Sequence, residues 1–277
     1  MFGRPLRAGF RAAPLGGRGP MRASGLPDGG FKRITLIGQS NGVGVAERSE
    51  LTTAPLSSDA GLATFNTTTF SRVYILNSAG DAYVQLQMGT NQLANTSAQF
   101  GTEFGIAVQW MRRTSSGLLF IDKHCVGGIW LFQMQSGTSY WTTALARRSG
   151  ADAWLASNSI TVVNSGLVFV QGEADFAATQ AAYSTALNTQ MTDRISAGLL
   201  GADERIVLAQ INPESTHYGA GVAAAKVAFV AANPTKARLI TYANYMNGDG
   251  VHLNARGELQ LGYDGASSTL DFPTVSA

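Results

Sequence analysis

ITLIGQSNGVGVAE, residues 34–47, runs the largely apolar Ile34-Thr35-Leu36-Ile37 straight into Gly38, Gln39, Ser40, Asn41 and Gly42. An apolar run closed by a glycine-rich polar turn reads as a buried strand that ends at the mouth of a sheet. Ser40 then has two readings. Serine is among the best helix N-caps, and a serine between a strand and a helix usually does no more than cap. The same position also sets a hydroxyl beside the first free N–H groups of a helix, where a nucleophile or an anion is well served.

Outward from this stretch, similar runs recur at wide spacing: RVYILN (72–77), GLLFIDKHCV (117–126), SGLVFVQ (165–171), RIVLAQIN (205–212) and the short ARLITY (237–242). Helical stretches separate them. Residues 100–115 put Phe104, Ala107, Val108 and Met111 on one stripe, and residues 176–195 space Tyr183, Leu187 and Met191 by four. Residues 219–232 form a further helix that must stop before Asn233-Pro234, and a last helix follows His252. Alternating strands and helices predict a three-layer α/β/α sandwich around a central, mainly parallel, five-stranded sheet, with ligands at the strand ends. The polar stretches 42–70 and 78–99 read as long loops of the kind that carry binding function. No repeat of 20 to 50 residues is visible, which sets aside solenoids and propellers.

The chain has 277 residues, 45% hydrophobic and 14% charged, enough for one large core. Its charge is uneven: residues 1–33 hold seven Lys or Arg against Asp28, while the whole chain is only +2. That segment also holds four of the eight prolines and eight glycines, so it reads as an extended or flexible basic arm, with the folded domain over 34–277. No aromatic residues interleave its arginines in a repeating way, so nucleic acid is not the expected partner. Docking to a larger assembly or self-association is. Neither the unbroken apolar core of a secretory signal nor a run of the ~18 apolar residues that span a membrane is present. Cys125 is alone, which excludes an intrachain disulfide and a multi-cysteine zinc site, and it reads as a small buried hydrophobe.

Two later stretches put polar chemistry at strand ends. In VFVQGEAD (168–175) a core strand runs into Gln171, Gly172, Glu173 and Asp175. The two acids are either caps of a helix starting at Phe176 or functional, and the Gln171 amide is able to donate to a developing oxyanion. Asp249-Gly250-Val251-His252 places a carboxylate three residues before one of only three histidines. Acyl transfer by a serine needs such a pair: imidazole takes the hydroxyl proton and the carboxylate fixes its tautomer. His124 sits in an apolar run and His217 in a loop, and their irregular spacing with His252 gives a metal site no support.

In order and spacing, GQSNG (38–42), CVGGIW (125–130), QGEAD (171–175) and DGVHLNARGELQLG (249–262) resemble the sialate O-acetylesterase-like carbohydrate esterases of the SGNH hydrolase superfamily. The resemblance implies the flavodoxin-like fold of that superfamily and an O-acetylated glycan as substrate, with no metal or cofactor. It implies Ser40 as nucleophile, His252 as general base and Asp249 as its orienting acid. The oxyanion donors would be the N–H groups of Ser40 and Gly128, with Gly127 the alternative placement, and the side chain of Gln171. Gln39, Asn41, Glu173 and Asp175 would support the site or touch substrate. Three departures stand beside these positions: Gly42 where the family has Met, Phe169-Val170 before the glutamine in place of Trp and a polar residue, and Ile129 in place of Ser or Thr. They raise a rival reading, a glycan-binding module without catalysis. The arm and the polysaccharide chemistry together suggest attachment to a phage tail or another surface structure.

Overall fold

β1 (Asp28–Gly38) carries the ITLI run and lies inside the sheet with a neighbour on each side. The computed structural model describes residues 28–241 and 245–270, so the expected arm falls outside the described residues up to residue 27, and 28–33 belong to β1. The other strands are β2 (Ala46–Glu47), β3 (Thr69–Leu76), β4 (Tyr83–Gln87), β5 (Gln99–Phe100), β6 (Ser116–Cys125), β7 (Val163–Val170), β8 (Arg205–Ala209) and β9 (Ala237–Ile240). The helices are α1 (Ser40–Val43), α2 (Ala60–Thr67), α3 (Thr102–Arg113), α4 (Ser139–Ser157), α5 (Gln180–Ser196), α6 (Ala220–Ala232) and α7 (Ala255–Leu270).

The main sheet has the order β4-β3-β6-β1-β7-β8-β9, parallel throughout except for β4 against β3. It has seven strands where five were expected. The difference lies in the short edge strands: β4 has five residues in a polar stretch and β9 has four, and Tyr242 of the ARLITY run lies outside the described residues. Side chains alternate across the pleat, and the alternation assigns the layers. Ile34, Leu36, Ile121, Val168 and Val207 pack with α3 and α7 on one face. Ile37, Leu167, Phe169 and Leu208 pack with α5 and α6 on the other, where Leu76 and Phe120 also meet Ala151 and Leu155 of α4. Each fully buried Leu, Ile or Phe of these layers contributes on the order of 1.5–3 kcal/mol.

The stretches expected to be loops are more ordered than their composition implies. Residues 42–70 contain β2, α2 and two short 3-10 turns, and β2 pairs with β5. Arg48 ties the two stretches together: Nε donates to Asn66 Oδ1 (2.8 Å), Nη2 to the Asn66 carbonyl (2.7 Å) and Nη1 to the Ser97 carbonyl (3.0 Å). α4 had no counterpart in the expected pattern. Behind the site, α3 and α7 meet glycine to glycine: a Cβ on Gly105 would lie 2.6 Å from the Leu259 carbonyl oxygen, and one on Gly262 would lie 2.5 Å from that of Thr102.

Candidate active site

Gly38 at the end of β1 stands in register with Cys125 of β6 on one side and Val170 of β7 on the other. GQSNG, CVGGIW and QGEAD therefore leave three adjacent strands at one level, at the carboxyl edge where open parallel sheets bind ligands. Only glycine fits at 38, because a Cβ there would sit 1.9 Å from the Val170 carbonyl oxygen.

Ser40 is the first residue of α1, and the capping position belongs to Gln39, whose side chain makes no cap bond. The Gln39 amide instead crosses to the QGEAD segment. Nε2 donates to Glu173 Oε2 (2.6 Å), and Oε1 accepts the N–H groups of Ala174 (3.1 Å) and Gly172 (3.4 Å). Asn41 Nδ2 donates to the other Glu173 oxygen (2.9 Å). One buried carboxylate thus grips the residues on both sides of Ser40, while Ser40 itself stays half-buried. Hydrogen bonds to a charged acceptor contribute about 1.5–3 kcal/mol each, so this turn is held firmly.

Asn41 also joins the turn to the histidine loop. Its Oδ1 accepts the Leu253 N–H (3.0 Å) and its Nδ2 donates to the Val251 carbonyl at 3.5 Å, so the residue after Ser40 bonds to both neighbours of His252. Asp249 Oδ1 accepts the N–H groups of Val251 and His252, both at 2.9 Å, and Oδ2 lies 2.7 Å from His252 Nδ1. Partial desolvation pushes the Asp249 carboxyl up. The two N–H groups and the imidazole outweigh it and hold the carboxyl below its usual range.

Gly127 and Gly128 form an exposed turn after β6, with Gly128 at φ +67°. Among the described residues, the backbone N–H groups of Ser40, Gly127 and Gly128 have no partner within the protein. Gln171 is placed differently from its expected part. Its Nε2 donates to Asp175 and to the Ile129 carbonyl (3.4 Å), its Oε1 accepts the Tyr183 hydroxyl (2.5 Å), and it is 1% exposed. An amide has two N–H bonds. Both are engaged, so Gln171 has none free for an oxyanion and instead laces α5 to the turn after β6. Asp175 is buried and accepts the Leu131 N–H (2.9 Å); the helix cap that it was weighed for is Thr179.

Gly42 points inward. A Cβ there would meet Cys125 Sγ at 2.8 Å and Val170 Cβ at 3.4 Å, so the cysteine takes the volume that a larger side chain at 42 would need. The departure at Gly42 is therefore an exchange of volume within the core. Cys125 is half-buried rather than fully buried, and desolvation pushes its thiol up to about 12, far from nucleophilic use. His124 packs tilted against Tyr140 (4.2 Å between centroids) and His217 stacks on Phe176 (4.8 Å), and no group of His, Cys, Asp and Glu among the described residues is placed to hold a metal.

Two buried lysines stabilise this floor without having been singled out. Lys226 donates to the Ala209 carbonyl (2.6 Å) and to the Gln171 carbonyl; desolvation pulls it down to about 8, against the attraction of Glu173 and Asp175. A single cation in the alanine-rich run 220–232 was the signal that could have found it, since a lysine on an apolar helix needs a buried acceptor. Lys123 pairs with Glu103 (2.6 Å) and donates to the Val43 carbonyl at the end of α1 (2.7 Å). Beside them burial pushes the Glu258 carboxyl well up, with Glu103 adding to the effect.

A family model described as "Carbohydrate esterase, sialic acid-specific acetylesterase" matches residues 32–271. Among solved structures, a protein from Arabidopsis thaliana is similar at 14% identity and TM-score 0.66, covering 87% of this chain and 98% of its own. NanS matches at 16% identity and TM-score 0.51, covering 80% of each chain. A carbohydrate acetylesterase from Xanthomonas citri matches at 11% identity and TM-score 0.52, over 86% of this chain and 55% of its own. At these identities the structures speak to the fold alone. No curated protein sequence matches the chain.

Proposed function

The chain belongs to the sialic acid-specific acetylesterase family of carbohydrate esterases and is a carboxylic ester hydrolase; from that premise we propose that it removes O-acetyl groups from a glycan by acyl transfer through Ser40, His252 and Asp249. Ser40 Oγ attacks the acetyl carbonyl while His252 takes its proton. Asp249 holds the proton on Nδ1, which leaves Nε2 as the basic nitrogen, and steadies the imidazolium that forms. The N–H groups of Ser40 and Gly128 receive the oxyanion, with Gly127 adjacent. Collapse of the tetrahedral intermediate passes the proton from His252 to the sugar oxygen, and a water repeats the sequence to release acetate. Gln39, Asn41 and Glu173 set the nucleophile turn, and Gln171 and Asp175 set the turn opposite.

The observation that carries this reading is the Asn41 side chain, which accepts from Leu253 at 3.0 Å and so fastens the nucleophile turn to the loop whose histidine Asp249 has already oriented. The rival of a binding module without catalysis draws no support from the matches. p-Nitrophenyl acetate tests the assignment: wild type turns it over, and Ser40→Ala loses that rate by about 10³-fold or more. Equal turnover by the two proteins would refute it.

A further inference from the structure

Five of the eight large hydrophobic side chains exposed among the described residues fall in two groups beside this site: Val126, Trp130 and Phe132, then Phe176 and Tyr218. Single exposed hydrophobics need no explanation, but a contiguous apolar rim marks a binding surface. The first group continues from the Gly127-Gly128 turn, where Trp130 (49% exposed) and Phe132 (57%) pack edge to face with centroids 6.0 Å apart. The second follows QGEAD, where Phe176 stacks on His217 at an interplanar angle of 11°. Both are fixed to the catalytic frame. Leu131, between Trp130 and Phe132, donates its N–H to Asp175, the residue before Phe176 (2.9 Å). Thr216, before His217 and Tyr218, donates its N–H to the Gly250 carbonyl inside the Asp249–His252 loop (2.8 Å).

A pyranose ring presents a face of C–H groups that carries partial positive charge, which the negative face of an aromatic ring attracts, and its hydroxyls point outward to water. An exposed aromatic ring suits such a ligand better than it suits water. One ester-bearing sugar needs one such surface, and here two exposed aromatic groups are tied to the turns around a single candidate nucleophile. We propose that Trp130 with Phe132 and Phe176 with Tyr218 are sugar-stacking subsites, and that the substrate is an oligosaccharide or polysaccharide acetylated at an internal residue rather than a free acetylated monosaccharide. The inference rests on the esterase reading above.

Its test compares an acetylated monosaccharide with acetylated β-1,4-linked oligosaccharides of increasing length, using p-nitrophenyl acetate as the sugar-free control. Wild-type kcat/KM rises with chain length, chiefly through KM. Trp130→Ala/Phe132→Ala loses about tenfold or more on the longer chains, while turnover of p-nitrophenyl acetate stays within about twofold. Phe176→Ala behaves alike. Wild-type activity independent of chain length, or variants that lose the control reaction in parallel, overturns the inference and leaves the esterase reading intact. A wild type that cleaves p-nitrophenyl acetate but frees no acetate from any saccharide overturns the glycan substrate itself. Binding is read separately in Ser40→Ala, whose tryptophan fluorescence shifts on adding the deacetylated oligosaccharides, whereas that of Ser40→Ala/Trp130→Ala does not; no shift in either protein counts against the subsites.

Discussion

Asn41 is the side chain on which most of the arrangement converges, since its amide satisfies Glu173, Leu253 and Val251 together. Asn41→Ala leaves the Leu253 N–H unpaired and frees the His252 loop to drift. Misplacing a catalytic group by about 1 Å costs about 10²-fold in rate, and that is the loss in kcat expected for p-nitrophenyl acetate, with a smaller change in KM. At Gly42 the expectation concerns packing. Gly42→Ala brings a methyl to 2.8 Å from Cys125 Sγ and destabilises by about 1–3 kcal/mol. Cys125→Ala removes that contact, so the double variant recovers much of the loss, a coupling that urea midpoints of the four proteins measure. Of the residues singled out from sequence, Asn41 bonds Glu173 and both backbone neighbours of His252, and Asp249 holds the His252 ring. The Gln171 oxygen accepts the Tyr183 hydroxyl, which lies on a helix twelve residues away and leaves no mark in the local pattern.

Among the elements, β1, β6 and β7 were legible because strands buried on both faces need unbroken apolar runs, and they set the level of all three turns. α4 was not. Its buried residues, Tyr140, Trp141, Ala144, Ala151 and Leu155, are diluted by Thr, Arg and Gly and trace no continuous stripe. Nor did β4 declare itself, since its role depends on a partner: the Tyr83 hydroxyl reaches Asp122 on β6, and neither residue signals the pairing alone. The α3–α7 crossing carries a prediction at this scale. Gly262→Ala places a methyl 2.5 Å from the Thr102 carbonyl oxygen and forces the helices apart. α7 begins three residues after His252, so the shift lowers thermal stability by about 3 kcal/mol or more and reduces kcat in the fraction that still folds. Calorimetry and turnover on one preparation separate the two effects.

For the molecule as a whole, His124 gives stability a dependence on acid. Desolvation, then repulsion from Arg147 and Arg194, lowers its pKa from 6.5 to about 4. Between those values the unfolded chain binds a proton that the folded chain does not, so stability falls as pH drops through 6.5 toward 4. The loss attributable to this residue is about 2–3 kcal/mol between pH 7 and pH 4.5. His124→Gln lacks it, and urea midpoints of the two proteins at the two pH values give the difference. A last consequence follows from the hydrogen bond between Asn41 and Leu253, which joins positions 212 residues apart. The nucleophile turn is made first during synthesis and waits 212 residues for its partner. Under the proposed assignment, hydrolysis cannot begin before the His252 loop has been made, and the onset of ester cleavage in a translation reaction serves as a timestamp for the docking of that loop onto the nucleophile turn.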